Sequence, residues 1–551
     1  ANDNIRLARI HRHQVDPQTG NVTHLSLELK EKKSHSPLER GHEAVLHPRF
    51  TDANVDRIIK RLYEIDQSAD SEFLSLIREP RIFARGKSQF PDVAAESLRT
   101  AETSAGFTRS QMLAFNHVLR RRLSLIWGPP GTGKTHFLAK AILSMAKAAK
   151  DSGTKFRVAV TAFTHAAIEN LLLEIREQAD LFGLNQELDI FKLKYTATSR
   201  GKDLTVIAEK GAWSTAGDIC VMGGTIYSFH KTGIAGAFPM LVVDEASQMK
   251  FGELAMAWSV LARGGKVVLA GDDLQLPPIM KGVYPEAEDG PPGLHNSIFA
   301  YLRARDDESD PYTRQLTDNW RMNRTLSEFP AETLYGEDYK PANKAIGGQR
   351  IAFRDKNIRG LSQREKDLCE WIIEPEFPMT LCILEGIRAT VENQAEAALV
   401  ARLTRYLRER LISPESGSVY PDSEDGDGKF WRKGLFIVSP HHAQIRAIRK
   451  ELSGQRRWKS APFVDTVDKM QGQQSHCVIV SYGVSDVETA LAEAEFIYSL
   501  NRINVSVSRA RSKCIVFLPR PLLEPSFDVL QSPKAVRGLE HMHALLDFCK
   551  R

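Results

Sequence analysis

The amino-acid sequence predicts an α/β protein with two tandem, doubly wound parallel-sheet domains and a small N-terminal appendage that is β-rich and helical. Two observations predict this class. The chain has 551 residues, which is too long for a single hydrophobic core. After residue 106, short apolar runs alternate with helix-prone segments in two successive sets. Continuous apolar runs are typical of parallel strands that are buried on both faces.

The first 105 residues have a different pattern from the rest of the chain. Residues 4–29 alternate apolar and polar positions around the turn 16–21, which predicts a β-hairpin. From Thr51 onwards, apolar residues recur with a helical period, and Thr51 or Asp52 is the predicted N-cap. We therefore expect a β-rich piece over residues 1–50 and a helical segment over residues 51–105.

Nine strands are predicted after this appendage, and they form the two sets. The first set comprises residues 124–127, 157–160, 219–222, 240–243 and 267–270. The second set comprises residues 380–383, 435–438, 477–481 and 514–517. Residues 286–292 and 414–428 are rich in Gly, Asp, Ser and Pro, which predicts surface loops. We expect the two domains over residues 106–317 and 318–551.

Composition limits the class of protein and its surroundings. The net charge is +5, which allows a nucleic-acid partner but does not require one. The six cysteines include no CxxC pair, so neither a zinc site nor an iron–sulfur cluster is expected. No apolar run approaches the length of about 20 residues that crosses a bilayer. We expect an intracellular protein, cytoplasmic or nuclear, without a membrane partner; the chain does not begin with Met, and it is interpreted as processed or as a piece of a longer protein.

The strongest motif is a phosphate-binding loop that follows the strand at 124–127 and precedes a helix-prone run. Its glycines let the backbone wrap around phosphates, and the helix N-terminus adds partial positive charge. Lys134 can reach the β- and γ-phosphates of ATP, and Thr135 can ligate Mg²⁺. The predicted ATP-binding residues of this loop are Gly128, Pro129, Pro130, Gly131, Thr132, Gly133, Lys134 and Thr135.

Two adjacent carboxylates end the apolar strand at 240–243. Asp244 can hold the metal, and Glu245 can polarise the water that attacks the γ-phosphate. Together with the phosphate-binding loop, these residues predict a P-loop NTPase that uses ATP and Mg²⁺. Kinases, GTPases and transporters remain open at this point.

Further sequence motifs resemble those of a known family and narrow the class of NTPase. Residues 244–248 read DEASQ, and residues 271–278 read GDDLQLPP after another strand. Over about residues 106–520 the sequence resembles the superfamily 1 helicases, in the branch that contains the nonsense-mediated-decay RNA helicase and the replication nuclease–helicase. The resemblance implies two RecA-like motor domains that use ATP to move along single-stranded DNA or RNA, in the 5′→3′ direction.

The same resemblance assigns roles around the nucleotide. Gln111 would read the adenine edge, and Trp320 would stack on the adenine. Gln275, Arg321 and Arg509 would contact the γ-phosphate. Gly472 belongs to a block at 466–472 that resembles motif V, which couples nucleotide to strand. The implied catalytic set is Glu245, Lys134, Gln275, Arg321 and Arg509.

Contacts with nucleic acid are predicted at the ends of strands. The resemblance implies contacts from Thr164 and His165 in motif Ia, from Thr225 and from Thr466. A segment that follows the strand at 435–438 is a further candidate, because ligands bind at strand ends in open α/β sheets. It comprises Ser439, Pro440 and His441.

Several of these residues also have a purely structural interpretation. Trp320 is interpreted alternatively as core packing. Thr164, His165 and Thr225 are alternatively helix caps, and Arg321 and Arg509 are alternatively salt-bridged surface residues. The basic clusters 120–122 and 446–459 are either phosphate contacts or solvated faces.

The sequence departs from the family pattern in several places. Relatives carry Glu where this chain has Gln474, and the insertion at about 171–218 is short. The family's β-barrel on a helical stalk is matched by a barrel-like accessory piece at 1–50 and a stalk at 51–105. The nuclease and zinc regions of relatives are not found, so an upstream nuclease or accessory domain is one possible partner. A remodelling translocase that displaces proteins without unwinding, a helicase fragment of a larger nuclease–helicase and a nucleotide-binding clamp are the alternative functions.

Overall fold

The computed structural model describes most of the chain in two units. The described residues are 8–15, 22–29, 55–68, 71–88, 93–193, 205–207, 217–232, 234–279, 293–356, 358–386, 388–470 and 472–551. The units are Ala1–Ala53 and Asn54–Arg551. Three predicted features lie outside the described residues, namely the turn at 16–21, the N-cap at 51 or 52 and the loop at 286–292.

The first unit contains the predicted hairpin. Strand β1, Ala8–Val15, pairs antiparallel with β2, Val22–Leu29. The register shifts twice, between Ile10 and Arg12 and between Gln14 and Val15. The hairpin that the alternating pattern predicts is therefore confirmed.

The second unit begins with helices, as the periodic pattern predicts. They are α1 Val55–Asp66, α2 Glu72–Arg78, α3 Pro80–Arg85, α4 Ala94–Thr100 and α5 Arg109–Arg120. The buried ring of Phe73 lies edge-on to Trp258, with 5.3 Å between the ring centroids. Glu72 also forms an ion pair with Arg122 at 2.6 Å. Aromatic and ionic contacts thus attach these helices to the first large sheet.

The first large sheet has eight parallel strands in the order β10-β3-β9-β8-β4-β7-β5-β6. These are β3 Leu123–Trp127, β4 Phe156–Ala162, β5 Leu188–Leu193, β6 Thr205–Ile207, β7 Ile219–Gly223, β8 Phe238–Asp244, β9 Leu261–Gly271 and β10 Thr313–Gln315. Its helices are α6 Lys134–Asp151, α7 His165–Gln178, α8 Ile226–Thr232, α9 Phe251–Ala257 and α10 Ile298–Arg303.

All five strands predicted for this sheet are confirmed, and three others were not predicted. Two of the three, β5 and β6, lie in the segment interpreted as a short insertion. They extend the main sheet, because Ile190 and Leu193 of β5 are buried against the same cores as the central strands. Polar residues interrupt the apolar residues of β5, so its sequence does not show the continuous apolar run of a central strand.

The second large sheet has five parallel strands in the order β13-β19-β18-β16-β17. These are β13 Met379–Leu384, β16 Leu435–Val438, β17 Val464–Asp465, β18 Ser475–Ser481 and β19 Ala510–Pro519. The four predicted strands are confirmed. Two short ladders lie outside this sheet, β11 Asp318–Asn319 with β12 Lys340–Pro341 and β14 Ile412–Ser413 with β15 Ser418–Val419.

Helices cover both faces of the second sheet. They are α11 Arg324–Pro330, α12 Lys344–Gly347, α13 Gln363–Ile373, α14 Gln394–Arg410, α15 Glu424–Lys429, α16 His442–Gln455, α17 Val487–Ala492, α18 Ala494–Ile497, α19 Leu500–Val507, α20 Arg520–Leu523 and α21 Pro533–Lys550. The α/β class with parallel sheets is thereby shown, while the exact bounds of the predicted domains stay a prediction.

The surface loop predicted over residues 414–428 is wrong for its second half. Ser423 caps α15 by accepting a hydrogen bond from the Gly426 amide at 3.0 Å. The carboxylate of Asp427 is fully buried and forms an ion pair with the guanidinium of Arg408 at 2.7 Å. A buried charge is tolerated here because its partner is supplied by a helix that is distant in sequence.

Two kinds of feature are absent from the described residues. In that part of the chain, no helix combines the length and apolarity needed to span a bilayer. Among the same residues, no group of three His, Cys, Asp or Glu side chains has the arrangement of a metal site.

Candidate nucleotide site and nucleic-acid edge

The phosphate-binding loop joins the end of β3 to the start of α6. Gly131 and Gly133 adopt φ values of +77° and +73°, which favour glycine. A Cβ atom at Gly128 would lie 2.1 Å from Lys134 Cγ, so a side chain has no room there. The ammonium of Lys134 donates to the Gly128 carbonyl at 2.6 Å and thus lies across the loop.

Asp244 and Thr135 lie together beside this loop. The Thr135 hydroxyl donates to Asp244 Oδ2 at 2.9 Å. Burial raises the pKa of Asp244 to about 6, and the charge of Glu245 adds to the effect. One hydroxyl and one carboxylate oxygen in contact are ligands of the kind that Mg²⁺ prefers, so this pair fits the metal that the sequence predicts.

Glu245 has an unusual backbone conformation. Its φ is +51°, and it is the only non-glycine residue with a positive φ among the described residues. Such a conformation costs about 1 kcal/mol for an L-residue. The Glu245 amide donates to Asp244 Oδ1 at 2.9 Å, which helps to hold the turn that follows β8.

Asp272 organises the loop that follows β9, and sequence reasoning assigned it no role. Its Oδ2 accepts from the Gln275 amide at 2.7 Å and from the Tyr335 hydroxyl at 2.9 Å. Its Oδ1 accepts from Trp127 Nε1 at 3.1 Å. Burial raises the pKa of this carboxyl. The signal was present in GDDLQLPP, but the partners of Asp272 are distant in sequence.

Arg509 reaches Gln275 from the second sheet. Arg509 Nη2 donates to Gln275 Oε1 at 3.3 Å, and Nη1 donates to the Gln473 carbonyl at 3.4 Å. Burial, together with the charge of Arg321, lowers the pKa of Arg509 to about 9. Its Nε atom is buried and has no hydrogen-bond partner among the described residues.

Arg321 lies near Arg509 and also faces the phosphate-binding loop. Its Nη1 donates to the Ser508 carbonyl at 2.9 Å, and its Nε donates to Gln474 Oε1 at 3.0 Å. In the described part of the chain, the guanidinium groups of both arginines donate to carbonyl and side-chain amide oxygens and not to carboxylates. The surface salt-bridge interpretation is therefore wrong for both. Gln474, which the sequence marks only as a departure from the family, is a direct partner of Arg321.

Hydrogen bonds connect the segment that contains Gln111 to the segment that contains Trp320. Thr108 donates its hydroxyl to Asp318 Oδ2 at 2.5 Å, just ahead of Trp320. The Trp320 amide donates to the Gly131 carbonyl at 2.8 Å, while its side chain is 45% exposed. Core packing is thus the wrong interpretation of Trp320. Gln111 caps α5 by accepting from the Thr108 amide at 3.2 Å, and its contact with adenine stays a prediction.

Gly472 directly precedes two residues that contact the arginines, and its φ is +77°. The two residues that follow it, Gln473 and Gln474, contact Arg509 and Arg321. The structure thus brings the motif V segment to the arginines. Direct contact of Gly472 with the nucleotide stays a prediction.

Thr164 and Thr225 lie at the carboxyl edge of the first sheet. Thr164 caps α7 by accepting from the Ala167 amide at 3.2 Å, and Thr225 accepts from the Ser228 amide at 3.2 Å. Their strands β4 and β7 are neighbours, so the two caps share one edge. The helix-cap interpretation is confirmed for both residues. His165 is exposed in the first turn of α7, and contact of these three residues with nucleic acid stays a prediction.

The matching edge of the second sheet carries the remaining predicted contacts. Val438 and Asp465 pair as the last residues of β16 and β17, so Ser439 and Thr466 follow at the same edge. Pro440 comes next and is half-buried. His441 Nε2 lies 2.6 Å from Glu493 Oε2. The structure brings these positions together, and their role stays a prediction.

A buried carboxyl supports this second edge, and no sequence motif marks it. Glu396 Oε1 accepts from the Ser481 hydroxyl at 2.6 Å and from the Gly483 amide at 3.3 Å. The Gln444 amide also donates to the Ser481 hydroxyl at 3.0 Å. Burial raises the pKa of Glu396 to about 7.

The two basic clusters are largely paired with protein groups. Arg121 forms an ion pair with Asp310, and Arg122 with Glu72. In the second cluster, Arg456 pairs with Asp422 at 2.8 Å. These contacts favour the structural interpretation of the paired residues.

Comparisons with known proteins agree with this geometry. Two family models, each described as an AAA domain, match residues 106–288 and 294–518. The DNA replication ATP-dependent helicase/nuclease DNA2 of Mus musculus is 26% identical over 510 residues, which cover 87% of this chain and 44% of the relative. Its Schizosaccharomyces pombe counterpart is 25% identical over 407 residues, which cover 72% of this chain and 26% of the relative. This chain thus spans less than half the length of these relatives.

Among solved structures, an arterivirus nonstructural protein 10 helicase in complex with DNA matches with a TM-score of 0.34 and 14% identity. The match covers 74% of this chain and 62% of that chain.

Proposed function

Because this chain belongs to the superfamily 1 helicases, in the branch that contains the replication nuclease–helicase, we propose that it hydrolyses ATP to move along a single strand of nucleic acid. One observation carries the proposal. Arg509, from the second sheet, contacts Gln275, which follows a strand of the first sheet beside the phosphate-binding loop. A nucleotide bound there would touch both halves of the molecule.

The nucleotide would bind as follows. The glycine-rich loop would hold the phosphates, with Lys134 moving from the Gly128 carbonyl to the β- and γ-phosphates. Thr135 and Asp244 would hold Mg²⁺, which would neutralise charge on the phosphates. The exposed ring of Trp320 would stack on the base.

Hydrolysis would depend on groups from both sheets. Glu245 would orient and deprotonate the attacking water. Arg321 and Arg509 would stabilise the charge that develops on the transferred phosphoryl group. Release of the γ-phosphate would remove the anion that Arg321 and Arg509 contact, which would favour an open cleft after phosphate leaves. Opening and closing would shift the two strand-binding edges relative to each other and advance the strand.

We further propose that the strand is DNA and that movement is 5′→3′. The relatives are named for DNA replication, and the direction rests on the family resemblance. DNA as substrate implies an intracellular location. Since the chain covers less than half of these relatives, a nuclease region as a partner within a longer protein is part of the same proposal.

The test is an ATPase titration with single-stranded DNA and RNA oligonucleotides. We expect DNA to stimulate hydrolysis by at least tenfold and to stimulate it more than RNA does. Duplexes with 5′ or 3′ tails then report unwinding and direction, and Lys134→Ala is the inactive control. ATPase activity that does not respond to either nucleic acid contradicts the proposal. Stimulation without unwinding, together with displacement of a bound protein, favours the remodelling translocase.

A further inference from the structure

A basic groove lies on the second half of the molecule, away from the nucleotide site. It has a volume of about 730 Å³, and seven Arg or Lys side chains and three carboxylates line it. Its walls come from the ends of α14 and α16, from the segment after β15 and from residues near 354. Part of the basic cluster at 446–459, to which the motor mechanism gives no role, lies in this groove.

The groove has a rigid wall. Arg408 is buried, forms an ion pair with Asp427 and donates to the Tyr420 carbonyl at 2.8 Å and the Pro421 carbonyl at 2.7 Å. Arg456 joins this wall through its ion pair with Asp422 at 2.8 Å. Side chains held in this way present a fixed surface to a ligand.

The carboxylates of the groove do not balance its cations. Glu409 is shared by Lys356 at 3.1 Å and Arg405 at 3.2 Å. The guanidinium groups of Arg354 and Arg457 line the groove and have no partner in the part of the chain that the structure describes. A concave wall with excess positive charge concentrates anions, because the surrounding protein focuses the electrostatic potential.

The groove lies apart from the single-strand track, by which we mean the positions at the carboxyl edges of the two sheets that are predicted to contact nucleic acid. In parallel α/β units the helix after a strand returns to the amino edge of the sheet. The C-terminal ends of α14 and α16 therefore lie at the amino edge of the second sheet, whereas Ser439 and Thr466 lie at the carboxyl edge.

We propose that this groove binds the phosphodiester backbone of the duplex arm of a forked or tailed substrate, outside the single-strand track. Guanidinium groups match phosphate oxygens in a two-pronged geometry. Ten of the fourteen lining residues are Arg, Lys, Asp or Glu, and the cations outnumber the carboxylates, which favours a polyanion. This inference rests on the proposed function, because it needs a motor that works at a junction of single strand and duplex.

The test compares two double variants of the full chain. Arg354→Ala/Arg457→Ala removes the two unpaired groove cations. Arg446→Ala/Lys450→Ala is the matched control, since these exposed residues belong to the same sequence cluster but lie outside the groove lining. Fluorescence anisotropy measures binding to a 20-base-pair DNA duplex with a 5′ tail and to the single strand alone, over a range of salt concentrations. Thermal unfolding verifies that both variants fold.

For the groove variant we expect about tenfold weaker binding to the tailed duplex, and a slope of log K against log salt that is smaller by about 2. Binding to the single strand and the ATPase that it stimulates should stay unchanged. Equal losses in both double variants, or no loss in the groove variant, would overturn the proposal. A 12-residue polyglutamate peptide that binds the wild type and not the groove variant, while duplex binding is unaltered, would assign the groove to an acidic protein instead.

The two proposals fail in different ways. If DNA does not stimulate the wild-type ATPase, the proposed function fails. If DNA stimulates the wild-type ATPase normally and the groove variant binds the tailed duplex as tightly as the wild type, the groove inference alone fails.

Discussion

The nucleotide site and the predicted nucleic-acid edge are built in different ways. At the nucleotide site, polar side chains from both sheets contact one another, as Arg509 contacts Gln275 and Tyr335 contacts Asp272. At the edge, polar side chains serve the backbone of their own segment, as Thr164 and Thr225 do when they cap helices. The first region therefore depends on the relative position of two halves, and the second depends on local structure.

This difference indicates where substitutions will act. At the nucleotide site, removal of one side chain affects catalysis, because each group has a charge or hydrogen bond directed at the cleft. At the edge, removal of one side chain affects the stability of a helix end. We expect backbone groups and helix ends to supply much of the contact with a strand there. Four predictions test this comparison, from the largest expected effect to the smallest.

The largest effect is expected at Arg509. Arg509→Ala should lower kcat for ATP by about 10³-fold, because a guanidinium that stabilises the transferring phosphoryl group is lost. Steady-state ATPase assays at saturating single-stranded DNA measure the change. Arg520→Ala is the control, since that arginine pairs with Glu385 at the surface, and its rate should stay within about twofold of the wild type. If Arg509→Ala keeps a tenth of the wild-type rate, its assigned role is wrong.

The next effect concerns stability below the edge of the second sheet. The pKa of Glu396 is raised to about 7 in the folded chain from 4.5. Its stabilising contribution is therefore fully present below pH 4.5 and is lost as the pH rises to 7, because the unfolded state releases the proton first. Glu396→Gln should remove this loss. At pH 8 the variant should be more stable than the wild type, by an amount on the order of 3 kcal/mol.

Denaturant unfolding of both proteins between pH 4.5 and pH 8 measures this difference, and other titrating groups cancel in the comparison. Stability curves that run parallel over this range would show that Glu396 titrates normally. ATPase activity at pH 8 should be similar in both proteins, since Glu396 does not contact the nucleotide site.

A smaller effect is expected at Gln474. Its side-chain oxygen accepts from Arg321 Nε, so Gln474→Ala should let the guanidinium move and lower kcat about tenfold with little change in KM. Gln474→Glu should restore most of the rate, because a carboxylate accepts the same N–H group. Steady-state kinetics of the three proteins measure the split between kcat and KM. A positioning role would be contradicted if Gln474→Ala raised KM without lowering kcat, or if Gln474→Glu did not restore the rate.

The smallest effect is expected at the helix caps. Thr164→Ala and Thr225→Ala should each lower stability by about 1 kcal/mol, and the corresponding Ser variants should keep it. Affinity for single-stranded DNA should fall less than about threefold in each. Unfolding and anisotropy measurements give the two quantities. A tenfold loss of affinity in a folded Ala variant would mean that these hydroxyls bind the strand directly, and the contrast between the two regions would weaken.

The sequence by itself determined the nine strands that are continuous apolar runs, the phosphate-binding loop and the order of the motifs. Strands buried on both faces are continuous apolar runs, and a loop that holds phosphates needs glycines at fixed spacing, so both are visible in a local pattern. Alternating strands are weaker signals, which is why β5 was interpreted as part of an insertion. The segment at 424–428 was interpreted as a loop for a related reason, since Asp and Gly are typical of loops.

Tertiary structure decided the partners. Arg509 and Gln275 are 234 positions apart, and Tyr335 and Asp272 are 63 apart. The buried carboxylate of Asp427 forms an ion pair with Arg408 of α14. Hydrogen bonds and ion pairs between distant residues leave no local pattern, because each partner has an ordinary composition around it. The folded chain alone decides which polar groups meet, and therefore which of the predicted residues lie together at the nucleotide site.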